Sequence, residues 1–302
     1  MINKNFLFTG LSFPPKDVVA YRDMFWKEAK RYKPGYEDNV ENLRTYPEDY
    51  IEFRYNNTGF RGPNILDYPT DKKIVCVGCS MTEGEGVKYE HTWPAQLQER
   101  IKEKLNIEIP VFNLGKRSAG TATIFRILHG LVQQRGIEPD VVIVLLPEFD
   151  RHELIYDNWE GFFRVFPEFE DPKDIRKQLS HEWYKGTNDK TSFYIWLQQY
   201  FLIKYFLKSH NIFSVLSSWS PDCNDFLKVF DPDFNLCGNI TNWNNMDENN
   251  EFGGIDVAND YYHPGPMGYK LFVDNLEKTL FTNKEFLSRI GYEDLGNISQ
   301  QS

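Results

Sequence analysis

"KKIVCVGCSMTEGEG", residues 72–86, decides how this chain is read. An apolar run, 74–77, ends abruptly in Gly78-Cys79-Ser80, and Thr82, Gly84 and Gly86 follow. Such a run, closed by small residues, reads as a buried strand ending in a tight turn. A serine at the tip of that turn exposes its hydroxyl beside backbone N–H groups, which suits a nucleophile. The same position also suits a helix cap, so the turn alone leaves both readings open.

Working outward, further strand candidates lie at 110–114, 141–146, 212–216 and 254–257, with the first at 73–77. The middle three are continuous apolar runs, the mark of strands covered on both faces in a parallel sheet. Helical patterns fall between and after them, at 93–105, 121–135, 193–208 and 266–280. In the first, Trp93, Leu97, Ile101 and Leu105 repeat every four residues, and Pro94 suits a first turn. Alternating strands and helices predict an α/β fold: a three-layer α/β/α sandwich on a mainly parallel five-stranded sheet. Ligands of such sheets bind beyond the carboxyl ends of the strands. Attention therefore falls on Ser80, Gly115, the stretch 147–151, and the region after the last strand.

Residues 1–70 read as an N-terminal extension packing on a main domain, 71–302. Within the extension, "YIEFRYNNTGFRG" (50–62) reads as a short strand and a turn on Asn56-Asn57. Residues 151–192 show no clear strand and read as an insertion rich in aromatics and acids. The asparagine-rich stretch 239–254 reads as a long surface loop.

Bulk properties narrow the function. A chain of 302 residues buries a substantial core. The aromatic share, 16%, is high, and the net charge is −10. That charge argues against nucleic-acid and polyphosphate partners, whose footprint is a basic patch. Nor is there a G-x-x-x-x-G-K-[ST] loop, and Glu83 and Glu85 put acid where a phosphate would sit. No apolar run approaches a membrane span. The N-terminus lacks a small-residue cleavage site, so the expectation is a cytoplasmic protein. Four cysteines are too few for a disulfide framework. Cys76 and Cys79 form C-x-x-C with no second pair, so buried free thiols are expected rather than a four-ligand zinc site.

Near the C-terminus, "NDYYHPGPMGYKLF" (259–272) places Asp260 three residues before His263, ahead of a helix started by proline. That spacing can set a carboxylate against one imidazole nitrogen and leave the other free to take a proton from a serine. His263 alone also fits a surface histidine held by local turn residues.

Together the two stretches resemble a known family, the GDSL or SGNH hydrolases. "IVCVGCSMTEGEGV" is similar to that family's first block, Gly-Asp-Ser followed by Thr and Gly, and "ANDYYHPGPMGY" to its last, Asp-x-x-His-Pro. "HTWPAQLQERI" resembles the family's first helix. "VFNLGKRSAGT" (111–121) and "PDVVIVLLPEFDR" (139–151) occupy the second and third blocks. "FRYNNTGFRGP" resembles a segment that often precedes such domains. The resemblance spans roughly 70–280.

It implies a flavodoxin-like hydrolase fold and acyl transfer through a covalent intermediate. Ser80 would be the nucleophile, His263 the base and Asp260 its orienting acid. The oxyanion would be held by the backbone N–H groups of Ser80 and Gly115, and no metal or organic cofactor is implied. The chain departs from the pattern twice. Phe149 stands where the family has an oxyanion-binding Asn, a loss that typically costs ~10² to 10³ in rate. Arg151 is the first candidate to replace it, ahead of His152, with a surface ion pair to Glu148 or Asp150 as the plainer alternative. Cys79 replaces the family's Asp and is itself a second nucleophile candidate. The resulting expectation is a serine esterase for a small acyl ester, such as an acetylated carbohydrate. An acyltransferase to a glycan and a silent glycan-binding or structural module are the alternatives.

Overall fold

The computed structural model describes residues 19–22, 50–56, 58–69, 71–156, 161–165, 178, 182–183, 185–231, 258 and 263–292. Two short strands come first, β1 (Val19–Arg22) and β2 (Tyr50–Phe53), paired antiparallel. Strand β3 (Ile74–Gly78) runs into a single helical turn, α1 (Ser80–Glu83). Next come α2 (Trp93–Leu105), β4 (Val111–Asn113), α3 (Thr121–His129) and β5 (Val141–Leu146). Then follow β6 (His152–Tyr156), β7 (Gly161–Val165), α4 (Asp189–Ser209) and β8 (Phe213–Ser218). The last described helices are α5 (Pro221–Phe230), α6 (Pro266–Leu280) and α7 (Lys284–Ile290).

The main described sheet has the order β4-β3-β5-β8, and each of its pairs is parallel. Alternate residues of these strands feed two cores. Ile74, Cys76, Val141, Ile143 and Leu145 face α2, α6 and α7, through Trp93, Leu97, Phe272, Leu276 and Phe286. Val75, Val77, Val142, Val144 and Leu146 face α3, α4 and α5, through Ile124, Ile127, Trp196, Ile203 and Leu227. Period-two alternation between two apolar faces makes three layers, and this is why the strands read as unbroken apolar runs.

The chain leaves β3 for β4 on one side and returns to β5 on the other. The strand order therefore reverses at β3, where an open α/β sheet forms a crevice beyond its strand ends. Ser80 stands there.

The expected elements at 93–105, 141–146 and 266–280 match α2, β5 and α6 residue for residue. The others differ in extent: β3 is shifted by one residue, to 74–78, and β4 is shorter by one residue at each end, at 111–113. Strand β8 runs two residues past the expected end, since Ser217 and Ser218 still pair with Leu145 and Leu146. The α-helical part of the third helix stops at His129, and Gly130–Gln134 continues as a π-turn. Helix α4 starts four residues early because Asn188 caps it, its side chain accepting from the Thr191 N–H at 3.0 Å. The expectation of no strand in 151–192 is corrected: β6 and β7 form an antiparallel hairpin. Among the described residues it pairs only with itself, and it carries no long continuous apolar run, so it lacks the signature that revealed the main strands. The fifth strand expected at 254–257, the surface loop at 239–254 and Asp260 lie outside the described residues.

The stretch 53–65 crosses the carboxyl edge of the sheet. Phe53 joins one core, and Phe60 and Ile65 join the other. Asn56 makes the turn between them: its Oδ1 accepts from the Thr58 N–H at 3.0 Å, the Thr58 hydroxyl at 2.7 Å and the Phe60 N–H at 3.2 Å.

Candidate active site

The turn after β3 is built by close backbone approach. A Cβ on Gly78 would meet the Leu145 carbonyl oxygen at 2.6 Å. Cys79 is extended, and its carbonyl accepts from the Thr82 and Glu83 N–H groups at 3.0 Å, which starts α1. Gly84 ends α1 at φ 80°, a conformation that suits glycine. Ser80 thus sits on the first residue of α1, 5% exposed.

Three neighbours fix this turn. Asn113, at the end of β4, donates from Nδ2 to the Thr82 carbonyl at 2.7 Å. The Gly115 backbone lies so close that a Cβ there would stand 2.3 Å from the Glu83 nitrogen. From the other side, Arg61 donates to the carbonyls of Glu83 at 3.2 Å, Gly84 at 2.6 Å and Val87 at 2.6 Å. Its guanidinium also lies 3.9 Å over the Phe53 ring. Arg61 is 1% exposed, so these bonds offset much of the cost of burying its charge.

His263 arrives from the opposite end of the chain, three residues before α6. Helix α6 is docked on α2 by Trp93 against Phe272, with ring centroids 5.1 Å apart. Arg100 pairs with Asp274 at 2.7 Å and also with Glu277. Gln96 donates to the Pro266 carbonyl at 3.1 Å, next to the residues that carry the imidazole. The result is a contact of 2.8 Å between His263 Nε2 and Ser80 Oγ, across 183 positions of sequence. With the ring proton on Nδ1, Nε2 accepts from the serine hydroxyl, the arrangement a general base needs.

Two buried carboxylates flank this pair, and the sequence reading treated them only as an obstacle to phosphate. Glu83 accepts from the Tyr55 hydroxyl at 2.8 Å and from the Arg117 N–H. Burial alone would push its carboxyl up, but Lys116, Arg117 and the Tyr55 hydroxyl hold it below the ordinary carboxylate range. Glu85 Oε1 lies 2.8 Å from Arg117 Nε, while its Oε2 is 3.9 Å from His263 Nε2. Asn113 was missed too; its sequence signal is an amide at the end of an apolar strand, two residues before Gly115.

The expected oxyanion donors are placed as follows. The Gly115 N–H donates to Asn113 Oδ1 at 2.9 Å, so it serves the turn rather than an open site. Gly115 is needed for its missing side chain. The Ser80 N–H has no hydrogen-bond partner among the described residues, and neither does that of Gly120. Gly120 is the N-cap of α3, and a Cβ there would meet the Arg151 carbonyl oxygen at 2.3 Å.

Arg151 takes up the plainer alternative, an ion pair with Glu148: Nε donates at 3.0 Å and Nη2 lies at 2.9 Å. Its guanidinium is 5.5 Å from the Trp219 ring centroid. Burial pushes the Glu148 carboxyl up despite this partner. Phe149 packs edge-on against Phe193 at 6.1 Å and brings no donor. Cys79 is fully buried, and burial pushes its thiol up, so it is placed as scaffold rather than as an attacking thiolate. Cys76 and Cys223 are also buried free thiols. No group of three or more His, Cys, Asp or Glu among the described residues is arranged to hold a metal ion. No described helix is long and apolar enough to cross a membrane.

No protein-family model matches this chain, and no curated protein matches it in sequence. Solved structures do. One is a G-D-S-L-family protein from Desulfitobacterium hafniense DCB-2, at 16% identity and TM-score 0.45, covering 70% of this chain and 100% of that one. A second is the psychrotrophic esterase EstA from Pseudoalteromonas sp., at 16% identity and TM-score 0.42, covering 70% and 100%. A third is the acetyl xylan esterase AlAXEase, at 17% identity and TM-score 0.42, covering 69% and 99%.

Proposed function

We propose that this chain is a serine esterase. The observation that carries the reading is the 2.8 Å contact between Ser80 Oγ and His263 Nε2 at the carboxyl end of β3. Ser80 Oγ attacks the ester carbonyl as its proton passes to His263 Nε2. The tetrahedral intermediate collapses, and the departing alcohol takes that proton. Water then repeats the sequence on the acyl-enzyme. Asp260 orients the ring through Nδ1 in this reading. The unpartnered N–H groups of Ser80 and Gly120 are the donors offered to the oxyanion, in place of Gly115.

The substrate proposed is a small acyl ester. The buried nucleophile favours a short acyl group, and Trp219 beside Arg151 supports a carbohydrate alcohol, since an indole face suits a sugar ring.

A fluorophosphonate probe tests this. It is expected to label Ser80 in the wild type and to leave the Ser80→Ala and His263→Ala proteins unlabelled. Clean labelling of the His263→Ala protein would overturn the pairing. A second reading, a silent glycan-binding module, is favoured by Phe149 and by the engagement of the Gly115 N–H. Glycan binding without any labelling of Ser80 would establish it.

A further inference from the structure

Glu85 lies on the Ser80 side of the His263 ring. Its Oε2 is 3.9 Å from Nε2, the nitrogen that meets the serine at 2.8 Å. A triad acid sits at the opposite nitrogen, so this is a different position. The carboxylate is held from behind: Oε1 is 2.8 Å from Arg117 Nε, although the Nε–H is not directed along that contact. The backbone is held as well, since the Glu85 N–H donates to the Ser80 carbonyl at 3.2 Å. Nucleophile and carboxylate therefore share one turn, the base meets it from a distant segment, and all three are buried. A charge fixed at this distance with little water between interacts strongly with its neighbour.

We propose that Glu85 is a second acidic partner of His263, acting by charge on the nitrogen that carries the reacting proton. Its catalytic meaning rests on the esterase reading above. In acylation the Ser80 O–H bond breaks, the bond from Oγ to the acyl carbon forms, and the proton moves to Nε2. The ring is then an imidazolium until the leaving oxygen takes that proton as its bond to the acyl carbon breaks. Glu85 exchanges no proton in either step. Its negative charge favours the imidazolium and makes His263 a stronger base.

Other charged and titratable groups surround this corner. Glu83 sits on the same turn, held by Tyr55 and by Arg117. Lys116 and Arg117 come from the loop after β4, and Arg61 from the stretch before β3. Glu148 and Arg151 act on neighbouring Cys79 from the end of β5, and Tyr269 of α6 acts on Arg61. Asp260 lies on His263's own segment, outside the described residues. The immediate opponents are Glu85 and Arg117, whose removal shifts the ring in opposite directions.

The test follows His263 directly by NMR of ring-labelled histidine, assigned by the signal lost in His263→Ala. Glu85→Gln is expected to lower the His263 midpoint by about one pH unit. Arg117→Met, which unmasks the carboxylate, is expected to raise it. An unchanged midpoint in Glu85→Gln overturns the proposal, as does a shift of the same sign in both variants, which marks a structural role. If Glu85→Gln does not fold, Arg117→Met decides alone, and the absence of a rise overturns the proposal. Fluorophosphonate labelling of the wild type runs alongside. Failure there removes the esterase reading, while the titrations still decide on Glu85.

Discussion

Among the described residues, two buried histidines each hold a serine. His263 Nε2 lies 2.8 Å from Ser80 Oγ, and His152 Nε2 lies 3.1 Å from Ser192 Oγ. By distance alone they are equivalent, but their surroundings differ. Ser80 begins a helical turn at a strand end, with its N–H unpartnered and glycine backbone pressed close. Ser192 lies in the first turn of α4, its N–H given to the Asn188 carbonyl at 3.0 Å. His152 is on a hairpin strand, its ring 5.2 Å from that of Trp183, and burial pushes its imidazole down toward neutrality. The second pair fastens the hairpin to α4. A serine–histidine contact becomes a candidate site only where backbone donors and space accompany it.

The sharpest way to break this contrast is to truncate each serine. Ser80→Ala is expected to lower esterase turnover by ~10⁴ or more, while Ser192→Ala leaves turnover near wild type. Steady-state hydrolysis of p-nitrophenyl acetate reads both, and equal losses would erase the distinction. Next comes the scaffold that only the first pair has. Arg61→Met leaves three carbonyls without their donor and is expected to cost about 3 kcal/mol, read from the urea midpoint. Gly115→Ala forces a methyl group into the Thr82–Glu83 backbone. With the fold retained, it is expected to slow fluorophosphonate labelling of Ser80 roughly 10²-fold, because the nucleophile is displaced.

The smallest effect concerns the second pair and pH. His152 has a folded pKa below its unfolded value, so the unfolded chain binds the proton first as pH falls. Stability from this group is full above the unfolded value of about 6.5 and is lost as pH falls below it. His152→Gln is therefore expected to flatten the decline in Tm between about pH 7 and 5 relative to wild type. Parallel curves would show that the imidazole titrates freely.

What the sequence made legible follows from what periodicity encodes. Strand β5 and helices α2 and α6 bury whole faces in the core, and their apolar spacing announces it. Ser80 and His263 were legible because each stands in a short local motif. The β6–β7 hairpin was not, because its sequence carries no long continuous apolar run. Glu85, Asn113 and Gly120 were also invisible as a group. Each meets a partner far along the chain, Glu85 the His263 ring, Asn113 the Thr82 carbonyl and Gly120 the Arg151 backbone, and no local pattern encodes those approaches. Arg151 shows how two readings share one residue: a charge at the strand end suits a donor, and an acid three residues away pairs with it.

Arg61 reaches its three carbonyls across only 22 to 26 residues, whereas Ser80 waits for a histidine 183 residues downstream. During synthesis the nucleophile's turn has all its struts long before its base exists. From Gly115, the last of those struts, to His263 the interval at ordinary elongation rates is roughly 7 to 30 s. For that time the growing chain carries a fully shaped serine turn that no base activates. On the esterase reading, reactivity is thus conferred late, when α6 docks against α2 and brings the imidazole to the serine.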